Sequence, residues 1–362
     1  MPRVLVLTPD FPPATGGIQT LMHRIVRHAG ALEVRVVTRG HPGARSFDAG
    51  GGLDVRRSGE AGGGPLSNLL LNVRALAEAA SFRPEAVLSG HIVTSPAARC
   101  IGAAMRVPVI QYLHADELGM RPRLAAFAAR TATAVVAVSG YTRGLALALG
   151  AQPARVHTIP NGVDLPDGPA ASRASRPTVV TVARLEERYK GHDVLMRALP
   201  LVRARVPGVR WVVVGDGSLR PELERLAVVH DLLDVVRFAG QVSDAERDAL
   251  LDSSHVFAMP SRLRPDGGGE GFGIVYLEAG AHRLPVVAGN VAGALDSVVD
   301  GETGLLVDPT DHTAVAYAVS ELLLNPARAE ALGRGGAERA AQFAWPAISR
   351  RVEELVLALA AR

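Results

Sequence analysis

Short apolar runs alternate with amphipathic stretches along the whole chain. In the first part the runs are Val4 to Leu7, Val34 to Val37, Ala86 to Leu88, Val107 to Ile110 and Thr133 to Val138. Each is strand-length and rich in β-branched residues, and the intervals between them carry helical spacing, the pattern of parallel βαβ units. The rhythm restarts after Pro177 with Thr178 to Val182, Trp211 to Val214, His255 to Ala258 and Val286 to Ala288. Between the two sets, the Pro, Gly and Ser cluster Leu165 to Ser172 reads as an interdomain linker. The pattern predicts two Rossmann-like α/β domains, residues 1–165 and 166–344, with a last amphipathic helix over 345–362. Open parallel sheets bind ligands at the carboxyl ends of their strands, so a cleft between two facing domains is the expected site.

At 362 residues the chain is long enough for two such cores. Cys100 is the only cysteine, which excludes an intrachain disulfide and suits a reducing cytosol. The first apolar run is too short for a signal-peptide core, and no apolar stretch reaches the roughly 20 residues of a membrane helix. A soluble or peripheral protein is expected. Residues 1–165 hold 17 Arg against 10 Asp and Glu, a net +7, and the remainder holds 22 basic against 26 acidic residues, a net −4. The basic half suits an anionic partner such as a phospholipid surface, or else is simply a solvated face. Nucleic acid is not expected, because aromatics are only 4% of residues and no stacking platform interleaves the arginines.

Among the 39 basic residues, Lys190 is the one lysine. It is either a remnant of arginine-rich coding or a site that needs a compact ammonium rather than a planar guanidinium. A second segment, Gly267 to Glu278, carries carboxylates eight residues apart at Glu270 and Glu278, with glycines around the first. Were the span wholly helical, the two Cα atoms would lie roughly 12 Å apart along the axis. That is too far for a hydrolase pair, which needs about 5 to 9.5 Å, and suits a ligand held at both ends. Glycine at a helix start also lets backbone N–H groups approach an anion.

Arg184 and Lys190 after a strand, followed downstream by Glu-x7-Glu in Glu270-Gly271-Phe272-Gly273-Ile274-Val275-Tyr276-Leu277-Glu278, resemble the retaining family 4 glycosyltransferases of GT-B fold. The likeness continues in Thr8 to Pro13 with Gly16-Gly17-Ile18, in Ile159 to Asp164 and in Gly301 to Val307. The opening segment and the loop Pro260 to Gly269 look most like the actinobacterial mannosyltransferases of phosphatidylinositol mannosides. The resemblance implies a hexose moved from a nucleoside-diphosphate sugar, GDP-mannose favoured over a UDP-sugar, to a hydroxyl of a lipid-linked or glycan acceptor. It assigns acceptor binding mainly to the first domain and nucleotide binding to the second.

The same resemblance implies roles for single residues. Gly16 and Gly17 would contact the donor phosphates or sugar, with Thr15 helping to cap their turn; a tight turn alone is the plainer use. Arg184 and Lys190 would stabilise charge developing on the leaving diphosphate, a role that costs turnover more than stability if the lysine is a partly exposed cation. Their spacing alone favours surface ion pairs with Glu186 or Glu187. His114 would meet the donor sugar, or else be a packed histidine, and Asp116 could orient it or contribute to acceptor binding. Glu270 would hold the sugar end and Glu278 the ribose, with Gly271, Phe272, Gly273 and Ile274 along the donor between them. Val242 and Asp244 lie where relatives meet the base, although Ser243 to Glu246 also reads as a capping box, the preferred reading. No metal and no cofactor beyond the sugar nucleotide is expected, Arg, Lys and helix termini taking the metal's part. No dedicated nucleophile is evident, and the sequence leaves both double displacement and front-face attack open, front-face attack being the preferred reading. A non-catalytic sugar-nucleotide sensor and an enzyme with a soluble acceptor remain the alternatives. A nicotinamide oxidoreductase lacks its Gly-x-Gly-x-x-Gly fingerprint, and a pyridoxal phosphate enzyme would be coloured.

Overall fold

Strands whose side chains are covered on both faces must be apolar throughout, and two such sheets organise the chain. The computed structural model describes residues 1–59, 64–168, 172–265 and 267–361. Parts of the expected linker and of the loop 260–269 therefore lie outside the described residues. The chain divides into a first unit, Met1–Gly162 with Trp345–Arg362, and a second unit, Val163–Ala344.

The first unit holds β1 (Arg3–Leu7), β2 (Glu33–Arg39), β3 (Asp54–Ser58), β4 (Ala86–Ser89), β5 (Val109–Leu113), β6 (Ala134–Ala137) and β7 (Val156–Thr158). All pair in parallel in the order β3-β2-β1-β4-β5-β6-β7. The second holds β8 (Thr178–Val182), β9 (Arg210–Val214), β10 (Val236–Gly240), β11 (Val256–Met259), β12 (Val286–Gly289) and β13 (Gly304–Val307), ordered β10-β9-β8-β11-β12-β13. This is the doubly wound Rossmann order, and its direction reverses between β1 and β4 and again between β8 and β11. Both sheets therefore carry a crevice outside the carboxyl ends of those strand pairs.

The expected boundary at 165/166 is displaced to Gly162/Val163. Val163 already donates its N–H to the Phe343 carbonyl at 2.9 Å and bridges Ala344, so the chain joins the second unit before the Pro and Gly cluster begins. The C-terminal helix Trp345–Ala360 packs in the first unit, with Trp345 buried against Gly162 and Glu353 accepting from the Ala31 N–H at 2.5 Å.

Helix Pro65–Phe82 turns Leu71, Ala75, Ala79 and Phe82 onto the first sheet. Its outer face is also apolar: Leu66, Leu69, Leu70, Val73 and Leu76 are 43 to 69% exposed, and Ala77 and Ala80 continue the stripe. No helix among the described residues is long and apolar enough to cross a membrane.

Candidate active site

The second unit's crevice is built from the chain leaving β8 and the chain leaving β11. After β8, a single turn Arg188–Lys190 ends in Gly191, whose φ of 80° and missing Cβ let the Pro260 carbonyl approach closer than any side chain would permit. Arg262 stitches the same two segments, donating its backbone N–H to the Tyr189 carbonyl at 2.8 Å and its guanidinium to both oxygens of Asp193 at 2.9 and 3.1 Å. These contacts fix the two residues that sequence separates by eighty positions. Lys190 Nζ donates to Glu270 Oε2 at 2.5 Å, and the two side chains are 15% and 13% exposed. Burial opposes the lysine's charge, but the Glu270 carboxylate, Tyr189 and Tyr276 together hold the ammonium above its ordinary range. A fixed cation is thus present at the switch point without help from solvent.

Glu270 and Glu278 do not share a helix. The helix runs Ile274–Ala281, and Gly273, at φ 84°, is its cap, so Glu270, Gly271 and Phe272 belong to the preceding loop. The wholly helical premise for the spacing therefore fails, because a left-handed glycine breaks the span. The loop is tied down where the Gly293 N–H donates to the Glu270 carbonyl at 2.9 Å. Phe272 buries its ring against Phe343, which leaves its backbone rather than its side chain for a ligand. Ile274 begins the first turn, whose N–H groups point back past the loop. Burial raises the Glu278 carboxyl above the usual carboxylate range; Asp248, Asp164 and Asp244 push the same way and Arg247 opposes them.

Arg184 behaves as its spacing alone suggests. Its side chain is 69% exposed and donates to Glu187 Oε1 at 2.8 Å, a surface ion pair rather than a partner of Lys190 and Glu270. Val242 and Asp244 flank Ser243, which caps helix Asp244–Ser253 in a reciprocal capping box with Glu246. Asp244 is exposed and pairs with Arg247 at 3.0 Å.

In the first unit, Gly16 rather than Thr15 occupies the cap of helix Gly17–Arg27, and no side chain caps it. The first turn contains no acidic residue, so its N–H groups face no carboxylate of their own helix. Gln19 donates instead to Asp10 Oδ1 at 3.2 Å, beside the end of β1. His114 follows β5 and its Nε2 lies 3.1 Å from the Gly90 carbonyl beyond β4. A carbonyl only accepts, so this nitrogen carries the proton. Burial lowers the ring's proton affinity, against the opposing pull of Glu117, and the imidazole is neutral at pH 7. Glu117, one position beyond the expected Asp116, accepts from the His114 N–H at 3.1 Å.

Residues 15–166 match the family described as Glycosyltransferase Family 4, and residues 168–339 match Glycosyl transferases group 1. A GDP-mannose-dependent alpha-(1-6)-phosphatidylinositol monomannoside mannosyltransferase of Mycobacterium tuberculosis is 35% identical, covering 98% of each chain. The Mycolicibacterium smegmatis protein of the same name is 36% identical, again over 98% of each chain. The chain is a family 4 glycosyltransferase. A crystal structure of Anabaena Alr3699/HepE in complex with UDP and glucose superimposes on this glycosyltransferase with a TM-score of 0.82 at 20% identity, covering 99% of this chain and all of that one. That likeness, with the two doubly wound sheets, makes the fold GT-B.

Two residues of the glycosyltransferase's first crevice escaped the sequence reading. His91 donates from Nε2 to Glu117 Oε2 at 2.8 Å, and its Nδ1 accepts the Val93 N–H at 3.1 Å. The available signal was position: His91 follows β4 as His114 follows β5, each two or one residues past a buried strand.

Proposed function

We propose that this glycosyltransferase moves mannose from GDP-mannose to a hydroxyl of a phosphatidylinositol mannoside, with retention at the anomeric carbon and without a metal. The observation that carries the reading is the likeness to the two mycobacterial GDP-mannose-dependent enzymes along 98% of the chain. The chemistry of the second crevice supports it. As the bond between sugar and phosphate breaks, negative charge grows on the leaving diphosphate, and Lys190 supplies a fixed cation whose effect increases with that charge. Donor binding would draw Lys190 from Glu270 toward phosphate and free the Glu270 carboxylate for sugar hydroxyls. In the second unit Glu278 accepts from the ribose hydroxyls; in the first, Gly16 and Gly17 offer backbone N–H groups to an anion and His114 serves a sugar hydroxyl. Arg184 reaches the diphosphate only by leaving Glu187. With the freed Glu270 carboxylate taken up by sugar hydroxyls, front-face attack is favoured: a donor phosphate oxygen takes the acceptor's proton as the new C–O bond forms and the old one departs.

The lipid acceptor suits the first unit. The exposed stripe Leu66, Leu69, Leu70, Val73, Leu76 would lie in the headgroup boundary of a membrane, with the +7 charge of residues 1–165 favouring anionic lipid. Peripheral attachment at the cytoplasmic face follows from that reading. The test is incubation of purified protein with labelled GDP-mannose and vesicles containing phosphatidylinositol monomannoside, in EDTA. The expected result is a lipid-extractable dimannoside sensitive to α-mannosidase. UDP-glucose consumed in preference to GDP-mannose, or label released only as free mannose, would refute the donor and acceptor respectively.

A further inference from the structure

Glu117 is 3% exposed and accepts three hydrogen bonds from two loops. Oε2 takes the His91 Nε2 proton at 2.8 Å and the Ile92 N–H at 3.2 Å, both from the loop after β4, while Oε1 takes the His114 N–H at 3.1 Å from the loop after β5. The ring closes where His114 Nε2 donates to the Gly90 carbonyl at 3.1 Å. Each carboxylate oxygen thus faces a backbone donor that cannot reverse. His91 cannot reverse either, since its Nδ1 must keep a lone pair for the Val93 N–H. A glutamine amide would turn its NH2 toward one of these donors, and an aspartate is a methylene short of spanning both loops. Only a glutamate satisfies the set.

We propose that Glu117 and His91 form a positioning pair for His114, holding the loops after β4 and β5 together so that the His114 ring is fixed at the first unit's crevice as the neutral Nε2-protonated tautomer. The proposal rests on the reading of His114 as the residue that serves a sugar hydroxyl. Glu117 holds its proton less tightly than an ordinary carboxyl: burial works against ionisation, but His91 and its hydrogen bond, then His114, outweigh it. The Glu117 carboxylate in turn raises the proton affinity of the His91 ring against its burial, while the Val93 N–H pointing at Nδ1 opposes a second proton there.

The experiment compares Glu117→Gln, His114→Ala and the double variant in the mannosyl-transfer assay, alongside 15N spectra of the wild-type histidine rings. Glu117→Gln is expected to lower kcat about 10- to 100-fold with donor KM within about threefold, as for loss of a group that orients a reacting imidazole. In the His114→Ala background the same change should alter kcat by less than about threefold. An equal factor in both backgrounds, with His114→Ala itself impaired, overturns the positioning role alone. An unimpaired His114→Ala enzyme overturns the role of His114 and the pair together. The wild-type spectra need no variant to fold: Nε2–H tautomers at His91 and His114 support the proposal, and an Nδ1–H tautomer at His114 contradicts it.

Discussion

Removing the ammonium of Lys190 should damage both turnover and stability, and the two losses can be separated. The sequence alone suggested a partly exposed cation whose loss would cost rate and little else. In the structure both partners of the 2.5 Å pair are at most 15% exposed, so Lys190→Met would leave the Glu270 carboxylate in a crevice that water reaches poorly. Breaking a buried pair by deleting one partner costs about 3 to 5 kcal/mol. The residual exposure of both groups reduces this to about 2 to 3 kcal/mol. Turnover should fall by about 100-fold or more, since one fixed donor to developing charge contributes on the order of 3 kcal/mol. Lys190→Met/Glu270→Gln removes both charges and should regain most of the lost stability while staying catalytically impaired. Denaturant unfolding and GDP-mannose turnover on the wild type, Lys190→Met and the double variant check both halves. Lys190→Arg should not restore the rate, because the guanidinium is larger and holds its donors in a plane. Wild-type stability in Lys190→Met would show that the ion pair contributes nothing, and a wild-type rate would remove Lys190 from the leaving group.

Glu278→Gln should weaken binding of free GDP, whereas Glu270→Gln should spare it and reduce affinity only for the complete sugar nucleotide; equal effects in calorimetric titration would contradict the assignment of ribose and sugar ends. His192 is 4% exposed, its Nε2 has no hydrogen-bond partner among the described residues, and burial with nearby Lys190 lowers its pKa from 6.5 to about 4. Between those values the unfolded chain binds the proton and the folded one does not, so stability is lost as pH falls through that window, by about 3 kcal/mol. His192→Gln should flatten this part of the curve, and an unchanged slope between pH 6.5 and 4 would refute the assignment. Leu69→Glu/Val73→Glu should lower partitioning onto anionic vesicles roughly 30-fold, from about 2 kcal/mol of lost apolar burial. Unaltered sedimentation with vesicles would mean that the exposed stripe does not contact lipid.

What the sequence made legible follows from where each strand sits. The expected strand runs that led to β1, β2, β4, β5, β6, β8, β9, β11 and β12 all lie inside the sheets, where both faces are covered and a continuous apolar run results. The four strands not anticipated, β3, β7, β10 and β13, are the four sheet edges. Two of these edges, Asp54-Val55-Arg56-Arg57-Ser58 and Val156-His157-Thr158, carry charged or polar residues, so apolar periodicity has nothing to detect there.

The candidate site divides in the same physical way. Lys190 and Glu270 were recognisable as residue types, but their contact depends on Gly191 meeting Pro260 and on Arg262 meeting Asp193, long-range fits that no local pattern carries. Arg184 shows the opposite case, since a local partner three residues away holds it in the surface pair that its spacing alone suggests. Glu117 was hidden because its three donors come from residues 91, 92 and 114, two of them backbone groups with no side-chain identity to read. A carboxylate that binds backbone leaves only its burial as a trace, and burial is a property of the assembled sheet. Residues that touch substrate therefore tend to be readable from type and spacing, whereas those that hold them in place become visible only when strands and loops have found their neighbours.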